Sequence, residues 1–169
     1  MVLVPELAEY VLNEPLGSGG FYVLAIGLMS FVTTPIGGKL IDKVGPKPVL
    51  MTGLSISIAG LLFLAFVAVP APNAGTFIAG LVIVGAGMGL AMGAPTNYMI
   101  LENTSKEDST SAIATIALIR QIGTSIAPAV YVGFIATAPG LAGYQSMLAS
   151  VAVFNALALA AMLFYRSPK

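Results

Sequence analysis

The sequence predicts an all-α membrane protein, a polytopic bundle of five transmembrane helices. Three observations carry that prediction. Hydrophobic residues fill 57% of the 169 positions, only 8% are charged, and the charges are missing from three long stretches. A soluble domain carries roughly 25% Asp, Glu, Lys and Arg, so this chain has too few charges to cover a surface facing water. The mean hydropathy of +0.96 points the same way. The apolar runs are continuous rather than alternating, and lipid offers no partner for open backbone groups, so helices and not barrel strands must cross it.

The charge-free stretches set the number of spans. Pro15–Gly38 holds 24 residues, Pro48–Leu101 holds 54 and Gln121–Tyr165 holds 45. One crossing needs about 20 apolar residues, so the first stretch holds one span and the others two each. Pro70, Pro72, Asn73 and Gly75 divide the second stretch; Pro139, Gly140 and Gly143 divide the third. The spans then fall at about 20–40, 49–69, 77–100, 113–137 and 146–165, with boundaries good to ~2–4 residues. Residues 1–19 form an N-terminal segment, 20–166 the five-span domain and 167–169 a tail.

The N-terminal segment lacks a basic region and carries Glu6, Glu9 and Glu14, so it does not read as a cleaved signal peptide. Val2 to Leu12 is too short to span and reads as an interfacial or stray helical piece. Pro15, Gly17, Gly19 and Gly20 make a flexible lead into span one. Span one carries Gly27, Ser30, Thr34 and Gly37 at helical spacing, with Pro35 placed to bend it.

After span one, Gly38-Lys-Leu-Ile-Asp-Lys-Val-Gly-Pro-Lys-Pro-Val-Leu50 reads as a tight hairpin. Gly37 and Gly38 allow close helix approach. Gly45 can take the positive φ of a sharp turn, and Pro46 and Pro48 start the next helix. Asp42, the one acid among three Lys, either pairs with them or sits at the positive end of a neighbouring helix. A solvated basic loop that only sets topology is the plainer alternative.

Span two offers Gly53, Ser57 and Gly60, and span three Gly85, Gly89 and Gly93 ahead of Pro95, Thr96 and Asn97. These glycines lie inside an apolar helix rather than after a strand, so they serve helix packing and not phosphate binding. Thr104 and Glu107 have capping-box spacing ahead of span four. Span four aligns Arg120, Thr124, Pro128 and Tyr131 on one stripe. A charge at mid-membrane costs at least ~2.5–3.5 kcal/mol, so Arg120 either snorkels to the near face or meets a partner across a cavity. Asn155 in span five reads as an interhelical hydrogen-bond donor.

Basic residues set the expected orientation. Lys39, Lys43, Lys47, Lys106, Arg166 and Lys169 all fall on one side, and segments 1–19, 70–76 and 138–145 hold no Lys or Arg. The positive-inside rule then predicts a multi-pass protein of the cell membrane with the N-terminus outside and the C-terminus cytoplasmic. Five spans in that arrangement read as a six-span unit without its first helix.

The chain has no Cys and no His, which removes thiolate and imidazole chemistry. With no nucleophile–base pair, no metal cluster and no basic patch, neither an enzyme, a cofactor nor a nucleic-acid partner is expected.

The hairpin resembles the loop signature of the major facilitator superfamily, on Gly38, Leu40, Asp42, Lys43, Gly45 and Lys47, with Pro46 standing where a basic residue is usual. The Arg120-Gln121-x-Gly123-x-Ser125-x-Ala127 pattern is similar to the penultimate helix of the fourteen-span drug:proton antiporters in that superfamily. The resemblance covers the chain from about residue 15 and makes it the last five helices of a C-terminal half. It implies small-molecule or multidrug efflux, proton-coupled, with Asp42 and Lys43 in a state-dependent polar latch. It also implies that spans one, three and four line the cavity while spans two and five lie outside. Ser30, Thr34, Asn97, Arg120, Gln121, Thr124 and Tyr131 become candidates for cavity or gate.

No acid falls within the predicted spans, so a proton-coupling carboxylate is expected in an absent N-terminal portion. A small-molecule substrate is expected only together with that portion, since alternating access needs two halves. The partners otherwise expected are the lipid bilayer and either a second copy or a complementary fragment. The competing readings are a truncated, non-transporting remnant, a protein that docks on a full transporter, and a small oligomeric channel with Arg120 as its ring.

Overall fold

Apolar length decides the elements, and proline and glycine decide where they stop. The computed structural model describes residues 4–92, 94–138 and 140–165, and among these there is no strand. The helices are α1 (Val4–Leu12), α2 (Gly20–Val44), α3 (Pro46–Phe63), α4 (Ala74–Ala91), α5 (Ala94–Glu102), α6 (Ser109–Thr137) and α7 (Leu141–Phe164). A π-helical turn, Leu64–Ala68, extends α3. Five of the resulting helical stretches are long and apolar enough to cross a membrane, with α4 and α5 together making one of them. Each overlaps a predicted span; the largest offset is at α7, which starts at Leu141.

One residue joins α2 to α3. Gly45 has φ +85° and ψ 167°, and Pro46 opens the next helix at once. That is the positive φ expected of a sharp turn, and a side chain there would be strained. Pro35 and Pro128 lie inside α2 and α6, and both helices run through them. Between α4 and α5, Pro95 has no amide to give the Ala91 carbonyl four residues back. The Thr96 hydroxyl donates to that carbonyl instead, at 3.4 Å.

The core is a three-helix seam, with α4 packed between α2 and α3. Missing side chains make it. A Cβ on Gly85 would come within 2.6 Å of the Ile26 carbonyl, and one on Gly89 would overlap Thr33 Oγ1, so this stripe faces α2. Gly87, which the sequence reading passed over, faces α3: a Cβ there would overlap the Ser57 amide and lie 2.6 Å from the Gly53 carbonyl. Glycine thus serves both sides of α4, because backbone-to-backbone contact is what drives association between helices that lipid already solvates. Gly93 lies outside the described residues. Gly38 has open space where a Cβ would go, so it allows no close approach, whereas Gly37 meets Leu90.

Helix α7 packs on α3, and α6 packs chiefly on α7 and α5. No residue of α6 is buried. Its exposed Leu118, Ile119, Ile122 and Ile126, like Phe21, Leu28 and Phe31 on α2, form apolar faces suited to lipid rather than water.

The N-terminal piece is not stray. Leu7, Ala8 and Val11 of α1 are buried in the same apolar cluster as Phe77, Leu81, Tyr144 and Leu148. The sequence hides this because nine residues make only a short stripe. The expected Thr104/Glu107 capping box does not form at the start of α6. Thr104 donates back to Ile100, while Ser105 Oγ accepts the Asp108 amide at 3.2 Å and donates to Asp108 Oδ2 at 2.8 Å. That pair closes the turn ahead of α6, which begins at Ser109 after Asp108 without a side-chain cap.

Candidate functional site

Because α6 stands off the α2–α4–α3 seam, a cavity of about 960 Å³ opens between it, that seam and α7. Its walls are mostly apolar, with Leu54, Leu61 and Leu64 from α3 and its extension, Met88 from α4, and Met147 and Val151 from α7. Its size lies within the range of small-molecule pockets, roughly 300–1,000 Å³.

The polar side chains are few. Ser30 and Thr34 enter from α2 at the spacing of one helical turn, and Arg120, Thr124 and Tyr131 enter along one stripe of α6. These five of the seven predicted cavity residues converge. Asn97 and Gln121 do not line it; both are exposed. Gln121 is one residue, about 100° of helix turn, off the Arg120 stripe. Ser57, Thr96 and Asn155 also line the cavity. Ser57 had a signal in its Gly53/Gly60 stripe, but Thr96 and Asn155 had none that told cavity from packing.

Most of these donors are already committed. Ser30 Oγ donates to the Gly85 carbonyl at 2.9 Å, tying α2 to α4. Thr34 donates to the Ser30 carbonyl at 2.7 Å and Thr124 to the Gln121 carbonyl at 2.9 Å. Asn155 donates to Val151 of its own helix at 2.9 Å, so it is not the interhelical donor expected of it. What the cavity offers a ligand is apolar surface, hydroxyl lone pairs and one cation. Arg120 is the single charged residue among the lining residues and has no acid beside it there. It sits eleven residues into a 29-residue helix and faces the cavity.

Helices α3 and α7 do not lie apart from this space, as the resemblance implied; they form its apolar wall, because α3 is sandwiched between α4 and α7. The polar lining is richest on α2 and α6, while the α4–α5 span, α3 and α7 supply one residue each, Thr96, Ser57 and Asn155.

The loop signature divides. Gly45 makes the turn, and Lys47 Nζ donates to the Tyr165 backbone carbonyl at the end of α7. Leu40, Asp42 and Lys43 are exposed. The expectation that Asp42 bonds to a nearby amide or base is not met among the described residues. Ile41 takes the buried position of that turn, which rotates Asp42 and Lys43 away from the bundle.

Among the described residues, no group of three His, Cys, Asp or Glu could hold a metal ion. A second recess of about 560 Å³ lies beside α1, lined by Glu6, Glu9, Tyr10, Glu14 and Tyr144 among others.

The family model described as Major Facilitator Superfamily matches residues 1–169. An uncharacterized MFS-type transporter of Bacillus subtilis is 35% identical over 137 residues, covering 80% of this chain and 25% of that protein. A multidrug resistance protein B homolog of Mycobacterium tuberculosis is 29% identical over 129 residues, 76% of this chain and 24% of its own length. A multidrug transporter protein of Bacillus subtilis is 28% identical over 125 residues, 73% of this chain and 22% of its own length. The chain therefore spans about a quarter of the length of these relatives. No solved structure matches.

Proposed function

The chain belongs to the major facilitator superfamily, whose members are transporters and not enzymes, and from that premise we propose that it forms the C-terminal membrane part of a small-molecule exporter. The observation that carries this reading is the meeting of Ser30 and Thr34 from α2 with Arg120, Thr124 and Tyr131 from α6 on one large apolar cavity. Two multidrug relatives support efflux as the direction. In this reading the basic loops face the cytoplasm, which puts the N-terminus outside and the C-terminus inside.

The cavity is then part of a site that a second portion completes. Alternating access needs two halves moving about a shared centre. The unburied face of α6 and the apolar face of α2 are where that portion, or failing it a second copy, would pack. Coupling to protons needs a titratable group near the path, and the cavity lining holds no carboxylate. A coupling acid therefore belongs to the complementary portion.

The test is dye accumulation in a strain lacking its main exporters. The 169-residue chain alone is expected to insert without exporting. Co-expression with the N-terminal portion of a relative should lower accumulation, and Arg120→Ala should abolish that gain. Export by the chain alone, driven by a proton gradient, overturns both the two-halves and the missing-acid arguments. No export with any complementary portion favours a membrane protein that does not transport.

A further inference from the structure

The large cavity changes character along the bundle axis. Helices α6 and α7 fold back on each other about Gly140, so residues equally far from it lie about level. Tyr131 and Leu148, nine and eight residues from Gly140, share one level; Thr124 and Asn155, sixteen and fifteen away, share a deeper one. Helices α2 and α3 reverse about Gly45, at the other end of the bundle. Ile26 and Leu64, each nineteen residues from Gly45, lie far from that turn, and Thr34 and Ser57, eleven and twelve away, lie nearer it. The half of the cavity toward Gly140 is therefore walled by Ile26, Leu64 and Leu148. The half toward Gly45 holds Thr34, Ser57, Thr124 and Asn155, with Arg120 one helical turn beyond Thr124.

Two groups in the polar half are without a partner. The hydroxyls of Ser30, Thr34, Thr96 and Thr124 already donate to backbone carbonyls. Ser57 does not. It is 5% exposed, lines the cavity and hydrogen-bonds through its hydroxyl to no described residue, so that hydroxyl opens only into the cavity. Arg120 has no acid beside it among the lining residues. A charge among apolar walls is costly unless it is paired. A guanidinium presents a planar fork of donors that matches a carboxylate with two parallel bonds. An organic cation finds no carboxylate in the lining and one like charge.

We propose that the cavity takes an amphipathic organic anion, its acid group on Arg120, with the Ser57 hydroxyl as a further donor in the same half, and its apolar body along the wall toward Leu64 and Tyr131. The proposal rests on the exporter reading and names a substrate class for it. From Arg120 to Tyr131 the α6 stripe runs eleven residues, about 16 Å of helix, long enough for a few fused rings on a short acid chain.

The chain has no Cys, so a single thiol reports cleanly. Val151→Cys, on the apolar wall, would be labelled with N-ethylmaleimide in the 169-residue chain in phosphatidylcholine vesicles. Leu16→Cys, at a position 95% exposed, supplies the reference rate. The probes share one body: pyrenebutyrate, pyrenebutanol and pyrenebutyl-trimethylammonium. Pyrenebutyrate is expected to protect Val151→Cys at about tenfold lower concentration than the alcohol, the lower end of what a hydrogen bond to a charged group contributes. The ammonium probe should protect least. In Arg120→Gln the advantage of the acid should vanish, while the alcohol protects as before and reports that the walls are intact. Arg120→Lys, which keeps the charge, should keep the order of the three probes. Equal protection by all three with Arg120 present, or an order that survives Arg120→Gln, overturns the proposal. Protection that appears without any probe on adding phosphatidylglycerol assigns the site to a lipid and overturns it too. Dye export with a complementary portion would stand under any of these results, so the substrate class and the exporter reading fail separately.

Discussion

The Lys47 ammonium donates to the backbone carbonyl of Tyr165, a residue 118 positions further along the chain. Lys47 stands in the first turn of α3, and Tyr165 directly follows the last residue of α7. A helix leaves its last carbonyls without amides, and a cation there satisfies one of them and complements the negative end of the dipole. The Tyr165 hydroxyl in turn accepts from Asn103 Nδ2 at 2.6 Å, so α3, α7 and the end of α5 meet on one residue.

Lys47→Met should therefore lower stability more than its place in a loop motif suggests. Losing a bond from a charged donor costs about 1.5–3 kcal/mol, whereas Tyr165→Phe removes one neutral bond and costs about 0.5–1.5 kcal/mol. Helical circular dichroism followed on heating in a mild detergent measures both. A Lys47→Met variant that melts with the parent chain would show the contact to be idle.

Gly87 and Gly123 should respond in opposite ways to the same change. A methyl on Gly87 meets backbone atoms of Ser57 and Gly53, and overpacking of that kind costs about 1–3 kcal/mol or more. A methyl on Gly123 meets nothing within 4 Å, and replacing glycine by alanine inside a helix gains roughly 0.5–1 kcal/mol. Thermal unfolding of Gly87→Ala and Gly123→Ala should move to either side of the parent. Equal shifts would contradict the seam.

Gly45 and Gly38 make a second pair, both in the hairpin. Gly45→Ala places a Cβ at φ +85° and should cost roughly 1–2 kcal/mol, while Gly38→Ala enters open space at a φ any residue adopts and should be near neutral. Yield of folded protein and melting temperature distinguish them.

Orientation is checked by a reporter active only outside the cytoplasm. Fused after Lys169 it should be silent, and fused at Gly140, in the turn between α6 and α7, it should be active. Activity at the C-terminus overturns the topology drawn from six basic residues against none.

The five spans were legible because apolar length is a property of position along the chain. Lipid thickness sets a threshold, and stretches such as Pro48–Leu101 pass it twice whatever they later pack against. The turn at Gly45 was legible for a similar reason, since glycine before proline constrains its own backbone. Half of the candidate site was legible too. Arg120, Thr124 and Tyr131 share a stripe by helical geometry alone, and the structure turns that stripe toward Ser30 and Thr34.

Which face of each helix meets which neighbour was settled only by the tertiary structure. A helix that is apolar all round carries no stripe to mark its inner side, so nothing in the order of residues separates Gly85 and Gly89, facing α2, from Gly87, facing α3. Asn155 could not be told from an interhelical donor until Val151 proved to be its acceptor. That Asp42 is exposed was decided only when Ile41 took the inward position. Helix α1 is the clearest case. Its length alone marks it as too short to span, and only the surrounding helices, by burying Leu7, Ala8 and Val11 and leaving room for the bonds that Glu9 accepts from Gly17 and Gly19, give it a fixed place. In lipid the number of crossings follows from length, but the choice of face follows from close contact between backbones, and that exists only once the helices have met.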